Sequence, residues 1–187
     1  MNLIYKDCFN GHIKRKLKEM YIDAFPRSER IPFWILKYCA KENNVSFKVI
    51  LDNDKLIGME YLIDCSDFTY LMYLAVDKNQ RGSGYGNKIL QDLINTNKNI
   101  VLSIERPTND LNDEKNRRKA FYLKNGFYET GKFIEDSGVQ YEILSTNKEC
   151  IITEENLKQR YTKITKSPVI KWIISKLFNM YNINFIN

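Results

Sequence analysis

The densest chemistry in the chain is at Arg81-Gly82-Ser83-Gly84-Tyr85-Gly86. Three glycines at alternate positions let the backbone turn tightly and let a ligand come close to it. An apolar run, Tyr70 to Val76, leads into the loop, and Asp77 to Gln80 forms a polar turn. Ile89, Leu90, Leu93 and Ile94 then recur at helical spacing. The order is therefore strand, glycine loop, helix. The first N–H groups of a helix have no partner inside it, and its dipole is positive at that end. Such a junction is a cradle for phosphate. Arg81 adds a guanidinium able to pair with phosphate oxygens.

Several phosphate ligands compete at this point. A nucleotide-triphosphate loop would close on Gly-Lys-Ser/Thr, which is absent here. A dinucleotide fingerprint spaces its glycines G-x-G-x-x-G, whereas these fall as G-x-G-x-G. Glu105, at the end of the next apolar run, stands about where a ribose-binding acid would. Against a dinucleotide fold, three strands precede the loop rather than one.

Those strands are read from alternating and apolar runs. Phe47–Leu51 and Leu56–Ile63 flank the turn Asp52-Asn53-Asp54-Lys55, and Phe68–Val76 follows Asp64-Cys65-Ser66-Asp67. This predicts an antiparallel meander. Upstream, Leu3–Tyr5 reads as a short strand. Ile13, Leu17, Met20, Tyr21 and Ala24 give an amphipathic helix that Pro26 ends. A second helix is predicted from Pro32 to Lys41. Downstream come a helix over Gly86–Thr96, a strand over Ile100–Glu105 and a helix over Glu114–Lys124 stopped at Asn125-Gly126. Strands at Phe127-Tyr128 and Val139–Leu144 follow, with Gly131, Asp136, Ser137 and Gly138 assigned to the connection. Strand, helix and strand across 68–105 imply a parallel pair with a right-handed crossover. The fold class is thus α/β (α+β), with a mixed sheet.

Composition narrows the function classes. The 187 residues are 43% hydrophobic and suit one domain with a substantial core. Net charge is +6, which fits an anionic cofactor as well as a nucleic acid; with no aromatic stripe of the kind that stacks bases, no nucleic-acid partner is expected. Lys14-Arg15-Lys16-Lys18 and Lys115-Arg117-Arg118-Lys119 read as solvated helix faces. Cys8, Cys39, Cys65 and Cys150 form no C-x-x-C pair and read as free thiols, and His12 is the single histidine, so no metal site is expected. No signal peptide and no bilayer-length apolar run are recognised, and the expected location is the cytoplasm.

A second motif lies at Asn116-Arg117-Arg118-Lys119-Ala120-Phe121-Tyr122-Leu123-Lys124-Asn125-Gly126-Phe127. R-x-x-G-x-G after a strand ending Leu-Ala-Val, followed one strand later by a helix bearing F-Y-x-x-x-G-F, resembles the GNAT N-acetyltransferase superfamily. The resemblance covers roughly residues 1–145. It implies a GNAT-like fold with helices on both faces and a splayed parallel strand pair. It also implies acetyl-coenzyme A as cosubstrate, with transfer of the acetyl group to the primary amine of a small molecule or peptide by direct attack on the thioester. A non-catalytic coenzyme A-binding or protein-interaction module of the same fold is the alternative.

By the same resemblance, the cofactor arm takes backbone hydrogen bonds along Leu74, Ala75 and Val76. Its pyrophosphate sits on the amides of Arg81, Gly82, Ser83, Gly84, Tyr85 and Gly86, and Asn116 contacts the arm. Tyr122 protonates the departing thiolate. For the base, Glu105 is preferred over Glu60. Arg27, Glu29 and Arg30, in the link between the first two helices, are acceptor-side candidates, while Phe33, Trp34, Leu36 and Tyr38 are read as packing.

Residues 146–187 lie outside the resemblance and read as a helical extension, packed on the domain or on a partner subunit, which would allow a homodimer; a membrane-surface role is the less favoured reading. A helix is predicted from Thr153-Glu154-Glu155 to about Ile164. Another starts at Ser167-Pro168, with Ile170, Ile173, Ile174, Leu177, Phe178 and Tyr181 on one face.

Overall fold

The computed structural model describes residues 1–7, 11–97, 99–108, 110, 113–136, 138–178 and 183–186, with residues 11 and 12 as backbone only. The readings of Cys8, Ser137, Tyr181 and the His12 side chain fall outside these residues. Among the described residues eight strands form one sheet: β1 (Leu3–Lys6), β2 (Val45–Asp52), β3 (Lys55–Asp64), β4 (Thr69–Val76), β5 (Ile100–Glu105), β6 (Tyr128–Asp136), β7 (Val139–Ser145) and β8 (Asn184–Ile186). Their spatial order is β1-β2-β3-β4-β5-β7-β6-β8. The first four form the antiparallel meander, and β4–β5 is a parallel pair. Asn53 and Asp54 both take positive φ in the β2–β3 turn, a conformation that Asn and Asp tolerate better than most residues.

Helices α1 (Gly11–Ala24) and α2 (Phe33–Cys39) cover one face. Helices α3 (Tyr85–Thr96) and α4 (Glu114–Lys124) cover the other. The α3 stripe of Ile89, Leu90 and Leu93 is fully buried, as its spacing requires. Pro32 caps α2 from outside rather than opening its first turn. Of the four bulky side chains there, Phe33 and Leu36 are buried, whereas Trp34 and Tyr38 are exposed.

Two assignments need correction. Gly131 and Asp136 are not in a loop but within β6, where a bulge between Glu129 and Phe133 absorbs the glycine at positive φ. The tail also forms a strand that its sequence does not announce: β8 pairs antiparallel with β6.

Helices α5 (Glu154–Thr162) and α6 (Pro168–Leu177) join the core on the α1 side through Leu157, Tyr161, Ile170 and Ile174. Thr153 and Asn156 cap α5 reciprocally, and Ser167 caps α6. Among the described residues no helix is long and apolar enough to cross a membrane.

Candidate active site

The site is built on a fault in the sheet. β4 and β5 pair only at Thr69–Ile100 and Tyr70–Val101. Beyond that point the strands part. The cause is visible one strand over: Tyr61 pairs with Tyr73 but Leu62 with Leu71, so Met72 is an extra residue bulged out of the β3–β4 ladder. A bulge bends its strand and increases local twist. Here it turns β4 away from β5 and leaves the β5-facing edge of Met72–Val76 without a strand partner among the described residues.

A cleft of about 690 Å³ opens at the fault. Leu74, Ala75, Val76, Arg81, Gly82, Gly84, Tyr85, Gly86 and Tyr122 line it. Ser83 and Asn116 do not. The Asn116 amide is engaged elsewhere, donating to the carbonyls of Thr108 and Asp110 and so fastening the loop ahead of α4. Tyr85 reaches sideways, its hydroxyl donating to Asp52 at 2.9 Å.

The glycines of the loop are there for two reasons. Gly84 caps α3 at φ 82°, in the left-handed region that a side chain disfavours. Gly86 lies so close to α4 that a Cβ would meet the Phe121 ring at 3.0 Å. The loop backbone thus borders the cleft at the start of α3, and Arg81, Arg117 and Arg118 supply cations around it. Arg117 and Arg118 come from the run read as a solvated helix face. The spacing signal existed: Arg118 precedes Tyr122 by four residues and therefore shares its face of α4.

Tyr122 stands in the cleft wall with its ring edge-on to Phe121 and Phe127. Burial pushes its phenol up to about 12, against a smaller opposing pull from Arg118. It is therefore a neutral hydrogen-bond donor at physiological pH.

On the α1 side, Glu29 also lines the cleft. Burial, then the neighbouring Glu105 carboxyl, raises its pKa to about 7, with Arg118 and Lys115 pulling the other way. Glu105 is ion-paired to Lys115 at 3.2 Å. Glu60 is elsewhere. Its register partners are Lys48 and Leu74, its field comes from Lys48 and from Asp92 on α3, and it is absent from the cleft wall. Burial raises it to about 7, and its Oε2 has no hydrogen-bond partner among the described residues. Arg27 and Arg30, on either side of Glu29, do not line the cleft. No group of three or more His, Cys, Asp or Glu among the described residues is placed to hold a metal ion.

A smaller cavity of about 90 Å³ meets the cleft through shared walls at Glu29, Met72, Tyr73 and Ser103. Its far side is the tail of the chain: Arg160, Tyr161 and Phe178, with Asp136 and Tyr141 from β6 and β7. Nothing in the residues around it points to Arg160, which sits in a polar helix yet is only 3% exposed.

Comparison with known proteins agrees with this architecture. Residues 43–129 match the family model of the Acetyltransferase (GNAT) domain. YjbC of Bacillus subtilis (strain 168), named provisionally as an acetyltransferase, is 32% identical over 81 residues, 43% of this chain and 40% of that protein. The match thus spans less than half the length of this curated relative. A GNAT-family protein from Bacteroides thetaiotaomicron, also named provisionally as an acetyltransferase, superimposes with a TM-score of 0.64 at 23% identity, over 82% of this chain and 93% of that one. An aminoglycoside 6′-N-acetyltransferase complexed with coenzyme A gives 0.59 at 15% identity, over 78% and 96%. At these identities the structural likenesses bear on fold alone. The matched domain sequence, the parted strand pair and the glycine loop that opens α3 agree with that fold: residues 43–129 are similar to a GNAT acetyltransferase domain.

Proposed function

We propose that the protein transfers an acetyl group from acetyl-coenzyme A to a primary amine. The observation that carries this is the single cleft in which an unpaired strand edge, a glycine cradle ringed by arginines, a neutral phenol and a carboxyl of raised pKa all meet. The residues fit the cosubstrate. Its pyrophosphate suits the Gly82–Gly86 backbone with Arg81, Arg117 and Arg118, and its amide-bearing arm suits the open edge of Met72–Val76. A structural relative carries coenzyme A.

In this reading the amine approaches from the Glu29 side. Glu29 takes the ammonium proton; a group poised near 7 can do so at neutral pH. This moves the base from Glu105, preferred on sequence, to its neighbour, with Glu105 holding Lys115 and raising the Glu29 pKa. The amine nitrogen forms a bond to the thioester carbon, the C–S bond breaks, the sulfur leaves with its electron pair, and the nitrogen, now cationic, gives its second proton to solvent water to leave the neutral amide. Tyr122 donates a hydrogen bond to that sulfur. At a pKa of about 12 the phenol stabilises the thiolate by donation; complete proton transfer would be uphill.

Calorimetric titration with acetyl-coenzyme A tests the first half, and absence of binding at high micromolar concentration would overturn it. Thiol release across a panel of small amines, polyamines, aminoglycosides and peptides tests the second. Binding without release across the whole panel would favour a non-catalytic module.

A further inference from the structure

The tail helix α5 drives a guanidinium into the sheet at the fault between β4 and β5. Arg160 Nη1 donates to the Tyr70 hydroxyl at 2.6 Å and to Ser103 Oγ at 3.1 Å, and Nη2 donates to Asp136 at 2.8 Å. The Tyr70 and Ser103 hydroxyls are themselves 2.8 Å apart. A guanidinium only donates, so both hydroxyl oxygens are acceptors towards Arg160. One hydroxyl hydrogen spans the Tyr70–Ser103 contact. The pair owns two, so one is left over.

Which one is spare follows from acidity. A phenol is the stronger donor and the poorer acceptor, and a cation against its oxygen sharpens the difference. Tyr70 therefore donates to Ser103, and the unused hydrogen belongs to Ser103. Its position is telling. Tyr70–Val101 is the last paired rung of the parallel ladder, and Ser103 stands two residues further along β5, where the strands have parted. Ser103 lines both the large cleft and the small cavity, whereas Tyr70 lines only the small one. A hydroxyl whose oxygen is fixed by two donors thus has its own hydrogen available at the junction of the two spaces.

Building on the acetyl-transfer reading above, we propose that Ser103 is a catalytic residue whose hydroxyl donates to the acetyl carbonyl oxygen, and that Arg160 and Tyr70 are positioning residues that aim it. As the nitrogen–carbon bond forms, the carbonyl π electrons move onto oxygen, and the Ser103 hydrogen bond strengthens with that charge. When the C–S bond breaks the electrons return to the carbonyl, so Ser103 neither gains nor loses a proton. The tail of the chain is then part of the active site through α5.

Isotope-edited infrared spectroscopy reads this contact without any acceptor. Acetyl-coenzyme A labelled with ¹³C at the acetyl carbonyl is bound to the full chain. The wild-type band is expected at lower wavenumber than that of free cosubstrate. Ser103→Ala returns it to the free position, Ser103→Thr keeps the shift, and Tyr70→Phe leaves a smaller one. Thermal melts establish that each variant is folded, and Ser103→Thr guards against a packing effect of the alanine. A bound band that does not move in Ser103→Ala would overturn the role of Ser103 alone. Absence of any bound band in the wild type would overturn the acetyl-transfer reading and this role with it.

Discussion

The Tyr73 hydroxyl donates to the Glu29 carbonyl at 2.7 Å and accepts from the Ile31 N–H at 3.2 Å. One β4 side chain thereby pins both ends of the segment that carries Glu29. Tyr21 holds it from the other side, donating to the Ile31 carbonyl at 3.0 Å, and the Tyr21 and Tyr73 rings meet edge to face at 5.2 Å. Tyr73→Phe removes the pin and leaves the fully buried Ile31 without its hydrogen-bond acceptor. An unpaired buried N–H costs about 1–3 kcal/mol, which urea unfolding would detect. The same variant is expected to raise the KM for the amine more than that for acetyl-coenzyme A.

If Glu29 is the base proposed above, its titration sets the pH dependence of turnover. Its pKa of about 7 predicts thiol release that climbs as pH rises from 6 to 8 and then levels off. Glu29→Gln should flatten that climb and lower the plateau by about 100-fold, within the usual range for a lost general base. Initial rates at fixed saturating cosubstrate across this range check both.

Tyr122→Phe keeps the ring contacts with Phe121 and Phe127 and removes only the hydroxyl. Turnover is expected to fall by at least about tenfold, with cosubstrate affinity nearly unchanged, because the donation matters chiefly as the sulfur becomes charged. Parallel calorimetry and steady-state kinetics separate the two effects.

Gly84→Asp places a carboxylate at the cradle and a Cβ on a residue at φ 82°. The backbone strain alone is about 1 kcal/mol, and charge repulsion adds to the loss of affinity. Calorimetric titration should show binding weakened by at least about tenfold, the equivalent of about 1.4 kcal/mol.

Glu60 gives a stability prediction separate from catalysis. Burial raises its pKa from the ordinary 4.5 to about 7, so the folded chain holds a proton that the unfolded chain has lost between those values. The unfolded state then binds fewer protons, and stability falls as pH rises through that window. Glu60→Gln abolishes this fall. It should be more stable than wild type at pH 8 by about 3 kcal/mol and close to it at pH 4, as measured by chemical denaturation at the two pH values.

Much of this fold could be read from the chain because its signals are local. Turn residues, proline stops and the 3.6-residue stripe of Ile89, Leu90 and Leu93 each act within a few positions. The glycine loop and Tyr122 are likewise short motifs on single elements. What stayed hidden depends on partners far away in sequence. Arg160 looks like any surface arginine until Tyr70, Ser103 and Asp136 arrive around it from three strands. Gly131 reads as a turn because a bulged strand and a loop call for the same residue type. β8 spans three residues, too short for an alternating pattern to register, and exists because β6 offers it an edge. Glu29 differs from other turn glutamates through its burial and through Glu105, far along the chain, with Tyr73 tethering its backbone.

The extra residue at Met72 has a bearing on timing. Because the two strands diverge by their own geometry, no backbone hydrogen bonds need to break before an incoming molecule can lie between them. Association should accordingly be a single exponential whose rate rises linearly with concentration in stopped-flow fluorescence, with no slow unzipping phase.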